Sequence, residues 1–178
     1  KEKGFSFFHP EELDVKTKAW LRHYFEEQIY PVVTPLAVDS GHPFPFLANN
    51  TINASVRIFQ VQPDGTKDYK IAILPIPSVL DRIIEVPSSS NKEHRFVYLE
   101  DVISYYAIQF FQGYGIEEAM IFRLTRDADL EIDEEDAKDL LTEVEASLRR
   151  RRRGDAVRLE VVGGGSPELL RTVLASVE

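Results

Sequence analysis

The chain has 178 residues, 43% of them hydrophobic, enough for one domain with a sizeable core, so global disorder is excluded. A net charge of −9 argues against general nucleic-acid affinity, and the absence of cysteine excludes disulfides, thiol catalysis and Cys-based zinc sites while fitting a reducing compartment. No apolar run reaches the roughly 18 residues of a transmembrane segment, and the charged opening KEKGFSFFHPEEL has no signal-peptide pattern.

Taken in chain order, Glu11 to Gln28 reads as a helix, with Leu21, Phe25 and Ile29 on one stripe and Trp20 and Tyr24 beside it. Pro31 ends it, and Pro35 shows that the chain has left helical geometry. TINASVRIF alternates, with Ile52, Ala54, Val56 and Ile58 on one side and Asn53, Ser55 and Arg57 on the other, which predicts a half-buried strand. QPDGTKD is a Pro-Asp-Gly turn and YKIAIL a returning strand, so Thr51 to Leu74 is expected to form a hairpin.

Pro75, Pro77 and Pro87 break the next connection, and the polar loop SSSNKEH precedes a third strand, RFVYL. EDVISYYAIQFFQG predicts a short helix whose stripe is Val102, Ile103, Tyr106 and Phe110, with Gly113 as the stop. AMIFRLTR is a further strand. Asp133 is placed to cap a long helix with the stripe Ala137, Leu140, Leu141, Val144 and Leu148. AVRLEVV is a fifth strand, Gly163 to Gly165 a turn, and SPELLRTVLASV a last helix with Ser166 as cap and Pro167 in its first position. About five strands and four helices in this order predict a single α+β domain around a mixed or mainly antiparallel sheet. The one methionine is Met120, so the expectation is a piece excised from a larger multidomain chain.

Three stretches carry the residue types that chemistry uses. In TPLAVDSGHPFPFLANN, His42 and Phe44 each precede a proline and are held extended. His42 with Asp39 would make a base or ligand pair, but no second histidine stands nearby. The favoured reading is a stiff connector anchored by Phe44 and Phe46, with His42 in a polar role at a rim or domain interface. Asp127, Asp129, Glu131 and Asp133 alternate like a calcium loop yet lack its glycine; magnesium through two carboxylates stays open beside the favoured reading, a strand end followed by an acidic first helical turn. Between Asp127 and Glu145 there are ten acidic residues and one lysine, and then the run Arg149, Arg150, Arg151, Arg152, Arg153. Arginines at the end of a helix complement its dipole, and ion pairing is the default reading. Two or three guanidinium forks also match phosphate geometry, so the run is the candidate polyanion site. No G-x-S-x-G, Walker loop, H-E-x-x-H or kinase signature is present.

Three segments, YPVVTPLAVDSGHPFPFLANNTINASV, FRLTRDADLEIDEEDAKDLL and LRRRRRGDAVRLEV, in this order and with FVYLEDVI between the first two, resemble the middle (head) domain of the bacterial phosphohistidine-type polyphosphate kinases. The resemblance covers nearly the whole chain from about Phe5. It implies a parent enzyme that reversibly transfers the terminal phosphate of ATP to inorganic polyphosphate with magnesium, in the cytoplasm or in peripheral association with the membrane. It also implies that the phosphorylated histidine lies in C-terminal domains and that an N-terminal domain helps hold the nucleotide. On this reading the present segment contributes no catalytic residue, cofactor ligand or metal ligand of its own. Its partners on this reading are the other domains of the same enzyme and a second subunit; polyphosphate contact through Arg149–Arg153 is the alternative that the residue types raise.

Overall fold

The hairpin expected between Thr51 and Leu74 forms the centre of the larger of two sheets. In the computed structural model, which describes residues 4–38, 44–88, 93–127, 154–162 and 165–177, β3 (Ile52–Val61) pairs along its length with β4 (Lys67–Pro75). The turn between them closes on Asp64, whose carboxylate accepts from the Thr66 amide at 2.9 Å and the Thr66 hydroxyl at 2.6 Å. Gly65 supplies the left-handed backbone this turn needs, at φ 84°. β2 (Leu36–Val38) adds to the outer edge of β4, while β7 (Gly115–Arg126) pairs with β3 on its other side and β8 (Ala156–Val161) with β7. The order is therefore β2-β4-β3-β7-β8, antiparallel throughout.

The second sheet has the order β1-β6-β5, built from β1 (Gly4–Phe7), β5 (Ile83–Val86) and β6 (Glu93–Tyr98), with β1 parallel and β5 antiparallel to β6. The α+β class holds, but the expected strand RFVYL belongs to this separate sheet and not to the larger one. β1, β2 and β5 were not legible because segments of three or four residues show too little alternation to stand out.

Of the predicted helices, α1 (Val15–Tyr24) starts later than expected. Asp14 caps it, accepting from the Thr17 amide at 3.0 Å and the Thr17 hydroxyl at 2.8 Å, and Pro10–Glu12 forms a separate 3₁₀ turn. The helix then widens into a π turn, Phe25–Ile29, which seats both Phe25 and Ile29 fully inside. α2 (Leu99–Tyr105) is followed by a 3₁₀ turn, Ala107–Phe110, and the C-terminal helix α3 is Pro167–Val177. The helix expected from Asp133 lies outside the described residues.

Two apolar clusters lie on opposite faces of the large sheet. Ala54, Val56 and Ile58 of β3 and Ala72 and Leu74 of β4 face α1, α2 and the small sheet. Ile73 of β4 and Met120, Phe122 and Leu124 of β7 meet Leu169 and Val173 of α3 and Leu47 of the connector. The half-buried strand predicted for TINASVRIF is thus corrected: Asn53 and Ser55, expected at the surface, are buried, because α3 and the connector cover the second face. No helix among the described residues is long and apolar enough to cross a membrane.

Two outcomes test this packing. The Ser55 hydroxyl is buried with no hydrogen-bond partner among the described residues, so its removal costs no bond. Ser55→Ala is expected to leave unfolding free energy unchanged or raised, and a loss above about 1 kcal/mol in denaturant unfolding would contradict the placement. Asp14 is held well below the ordinary carboxylate range by the Thr17 amide first, then the Thr17 hydroxyl and Arg95. Its folded value lies under its unfolded value, so its contribution is present above about pH 4 and fades as pH falls toward the folded value. Asp14→Asn should therefore flatten the acid side of the stability curve, as followed by thermal melts across about pH 2 to 5.

Candidate functional site

Arg149, Arg150, Arg151, Arg152 and Arg153 lie outside the described residues, as do Asp39, His42, Asp129, Glu131 and Asp133. Asp127 follows the last residue of β7, and its amide donates to the Asp155 carbonyl at 2.8 Å. The connector after residue 43 is described, and it differs from expectation. Phe44 packs against the second cluster, but Phe46 is exposed under the Arg126 guanidinium, 4.5 Å from its ring centre, and the buried anchor is Leu47. Arg126 ties this connector down, donating from Nε to the Leu47 carbonyl and from Nη1 to the Gly154 carbonyl, both at 2.9 Å. Its amide donates to Asn49 Oδ1 at 2.8 Å.

The described polar groups gather elsewhere, around arginines that the sequence reading did not single out. A cleft of about 320 Å³ lies where α2 approaches β3, β7 and β8, lined by Arg82, Glu100, Arg123 and Glu160 among others. Glu100 is buried, and its Oε1 accepts both Nε (2.9 Å) and Nη2 (2.6 Å) of Arg82, while Oε2 has no partner among the described residues. The charge-assisted bond to Glu100 raises the Arg82 pKa above its ordinary value. Across the cleft, Arg123 donates to Glu160 Oε2 from Nε (2.8 Å) and sets Nη2 at 2.7 Å from the same oxygen, and Arg158 donates to Oε1 at 2.8 Å. These forks engage carboxylates, so the charges tie the Arg82 segment to α2 and β7 to β8.

A second cluster centres on Arg57 of β3. Its guanidinium donates to both oxygens of Glu168 (2.8 and 3.2 Å), lies 3.1 Å from Glu117 and stands over the Tyr69 ring at 4.5 Å. Bonding to Glu168 is the main reason its pKa is raised. Next to it, Glu118 accepts from the Ser166 amide and hydroxyl, both at 2.7 Å, and Ser166 Oγ accepts from the Leu169 amide at 3.1 Å. Ser166 is thus the cap expected for the last helix, and it is held to β7 by Glu118. One signal was available in the sequence: Arg57 is the lone cation in an apolar alternating strand, and a consecutive glutamate pair stands in another. Which strand opposes which is a matter of register, here Arg57 opposite Glu118.

Arg57→Met removes the cation shared by Glu117 and Glu168 and should cost about 2 kcal/mol, less at high salt. Hydrogen exchange should show α3 opening first; an unchanged α3 with an unchanged midpoint would refute the anchoring role.

A sequence model of the polyphosphate kinase middle domain matches residues 16–178. The polyphosphate kinase of Halalkalibacterium halodurans is 42% identical over 176 residues, covering 98% of this chain and 24% of that protein. The polyphosphate kinase of Pseudomonas syringae is 43% identical over 147 residues, covering 82% of this chain and 20% of that one. In fold, the crystal structure of polyphosphate kinase from Porphyromonas gingivalis superposes with a TM-score of 0.73 at 24% identity, over 97% of this chain and 24% of the other. The chain therefore spans about a quarter of the length of the relatives it matches. With the family match running over nearly all of its length and sequence identity above two-fifths, the chain belongs to the polyphosphate kinase middle-domain family.

Proposed function

We propose that this chain is the middle part of a longer polyphosphate kinase and serves the assembly of that enzyme, bracing its other domains and a second subunit, without performing the phosphotransfer itself. The observation that carries this reading is the use made of its arginines. Arg57, Arg82 and Arg123 each engage a carboxylate on another element, so these charged groups hold elements of the fold together. In this reading the parent enzyme reversibly moves the terminal phosphate of ATP onto polyphosphate in the cytoplasm or at the membrane surface. The phosphorylated histidine then lies in parts of the enzyme beyond this chain. Magnesium and ATP belong, in this reading, to those other parts as well.

A second reading, that Arg149–Arg153 contact polyphosphate, is supported by five consecutive guanidinium forks in a chain of net charge −9. The two readings separate in one set of experiments. The isolated chain should make no acid-insoluble polyphosphate from ATP and magnesium, and synthesis by it would overturn the assembly reading. If the arginines touch the polymer, polyphosphate binding falls steeply with salt and is lost when Arg149–Arg153 are changed to alanine. Binding indifferent to that change would remove the second reading.

A further inference from the structure

The small sheet has one face in the core and one face made of rings. Ile84, Val86 and Val97 point inward and are buried. On the opposite face, β1 contributes Phe5 and Phe7, β6 contributes His94, Phe96 and Tyr98, and β5 adds Ile83, a set fixed by the register Phe5–His94, Phe7–Phe96 and Ile83–Tyr98. The rings form a continuous stack, with centroids 5.3 Å apart for Phe5 and His94, 5.5 Å for Phe7 and Phe96, and 4.9 Å for Phe7 and Tyr98. Yet Phe5 is 64% exposed, and Phe7 and Ile83 are each 49% exposed. Among the described residues the polar contacts of this face lie at its rim, where Glu85 meets His94 at 2.7 Å and Arg82 stands 5.4 Å from the Tyr98 ring. A contiguous apolar patch of this kind marks an interaction surface.

We propose that this aromatic face is the docking surface for the polypeptide immediately N-terminal to this chain in the full-length enzyme, which lays an apolar stripe across the rings. The proposal rests on the reading that the chain is internal to a longer protein. Two observations choose this occupant. First, the middle-domain match begins at Lys16, whereas β1, with Phe5 and Phe7, precedes it. The face is therefore half made by the segment that leads into the matched region. Second, β1 runs parallel to β6 with Gly4 opposite Glu93, so the incoming chain is delivered at the end of this very sheet. A segment tethered there has an effective local concentration on the order of millimolar. The length of the relatives, about four times this chain, leaves ample polypeptide to supply it.

The test uses the full-length enzyme with the photo-crosslinking residue p-benzoylphenylalanine in place of Phe7. Peptide mapping should find the crosslink upstream of Lys1 and within the same subunit, as read from a mixture of isotope-labelled and unlabelled protein. A crosslink to another subunit, to residues 128–153, to the C-terminal domains, or none at all, would overturn the proposal. In parallel, the double variant Phe5→Ser/Phe7→Ser of the full-length enzyme should be cleaved upstream of Lys1 at least about tenfold faster in limited proteolysis, because part of two buried phenylalanine rings outweighs a factor of ten in the docking equilibrium. An unchanged cleavage rate counts against it. The mass of the natural protein is read first: a product no longer than this chain ends the reading beneath the proposal, while a longer product whose Phe7 crosslinks fall elsewhere ends the proposal alone.

Discussion

Because β3 is hydrogen-bonded to β4 along one edge and to β7 along the other, it sits in the middle of its sheet, and both of its faces must be covered. Its residues from Asn53 to Val56 are all buried. A central strand of this kind needs a layer on each side, and the rest of the domain supplies them. α1, α2 and the small sheet close over Ala54, Val56 and Ile58. α3 and the connector through Leu47 close over the opposite side. The three-layer arrangement follows from that one position, since an uncovered face would expose the apolar side chains of β4 and β7 as well.

Among the described residues, the second face is covered by an eleven-residue helix and an irregular connector. Apolar contact from Leu169 and Val173 is supplemented by charge. Arg57 reaches from β3 to Glu168, Glu118 reaches from β7 to Ser166, and Arg126 bonds the Leu47 carbonyl of the connector and the Gly154 carbonyl before β8. Charge-assisted bonds are stronger than neutral ones, and most of these are part-buried, where salt screens them less. The same device recurs where Arg82 meets the buried Glu100 at the start of α2. An acidic chain thus uses a few well-placed arginines as internal fasteners, which accords with the assembly role proposed above.

The small sheet obeys the opposite logic. Its inner face shares the first core, but its outer face keeps a row of rings only partly shielded from solvent, at a cost that a free-standing domain has no reason to bear. The relatives the chain matches are about four times its length, and the docking proposed above is what would cover this face.

Residue pattern alone determined the long elements: the hairpin from Thr51 to Leu74, the strands AMIFRLTR and AVRLEVV, and the Ser166-capped final helix all stand in the structure as predicted. Alternation, turn chemistry and capping are local, and local signals survive in a single chain. The motif-rich stretches also sufficed to identify the family. What only the tertiary structure decided was which face each side chain meets. Asn53 and Ser55 are inside because a distant helix packs on them, Phe46 is outside because Leu47 takes the interior position, and Arg57 gains its role from a register that brings Glu118 opposite and a helix that brings Glu168 near. Strands as short as β1 and β5 are defined by pairing with β6 and not by their own composition. Burial and pairing are properties of neighbours far along the chain, and no local pattern carries them.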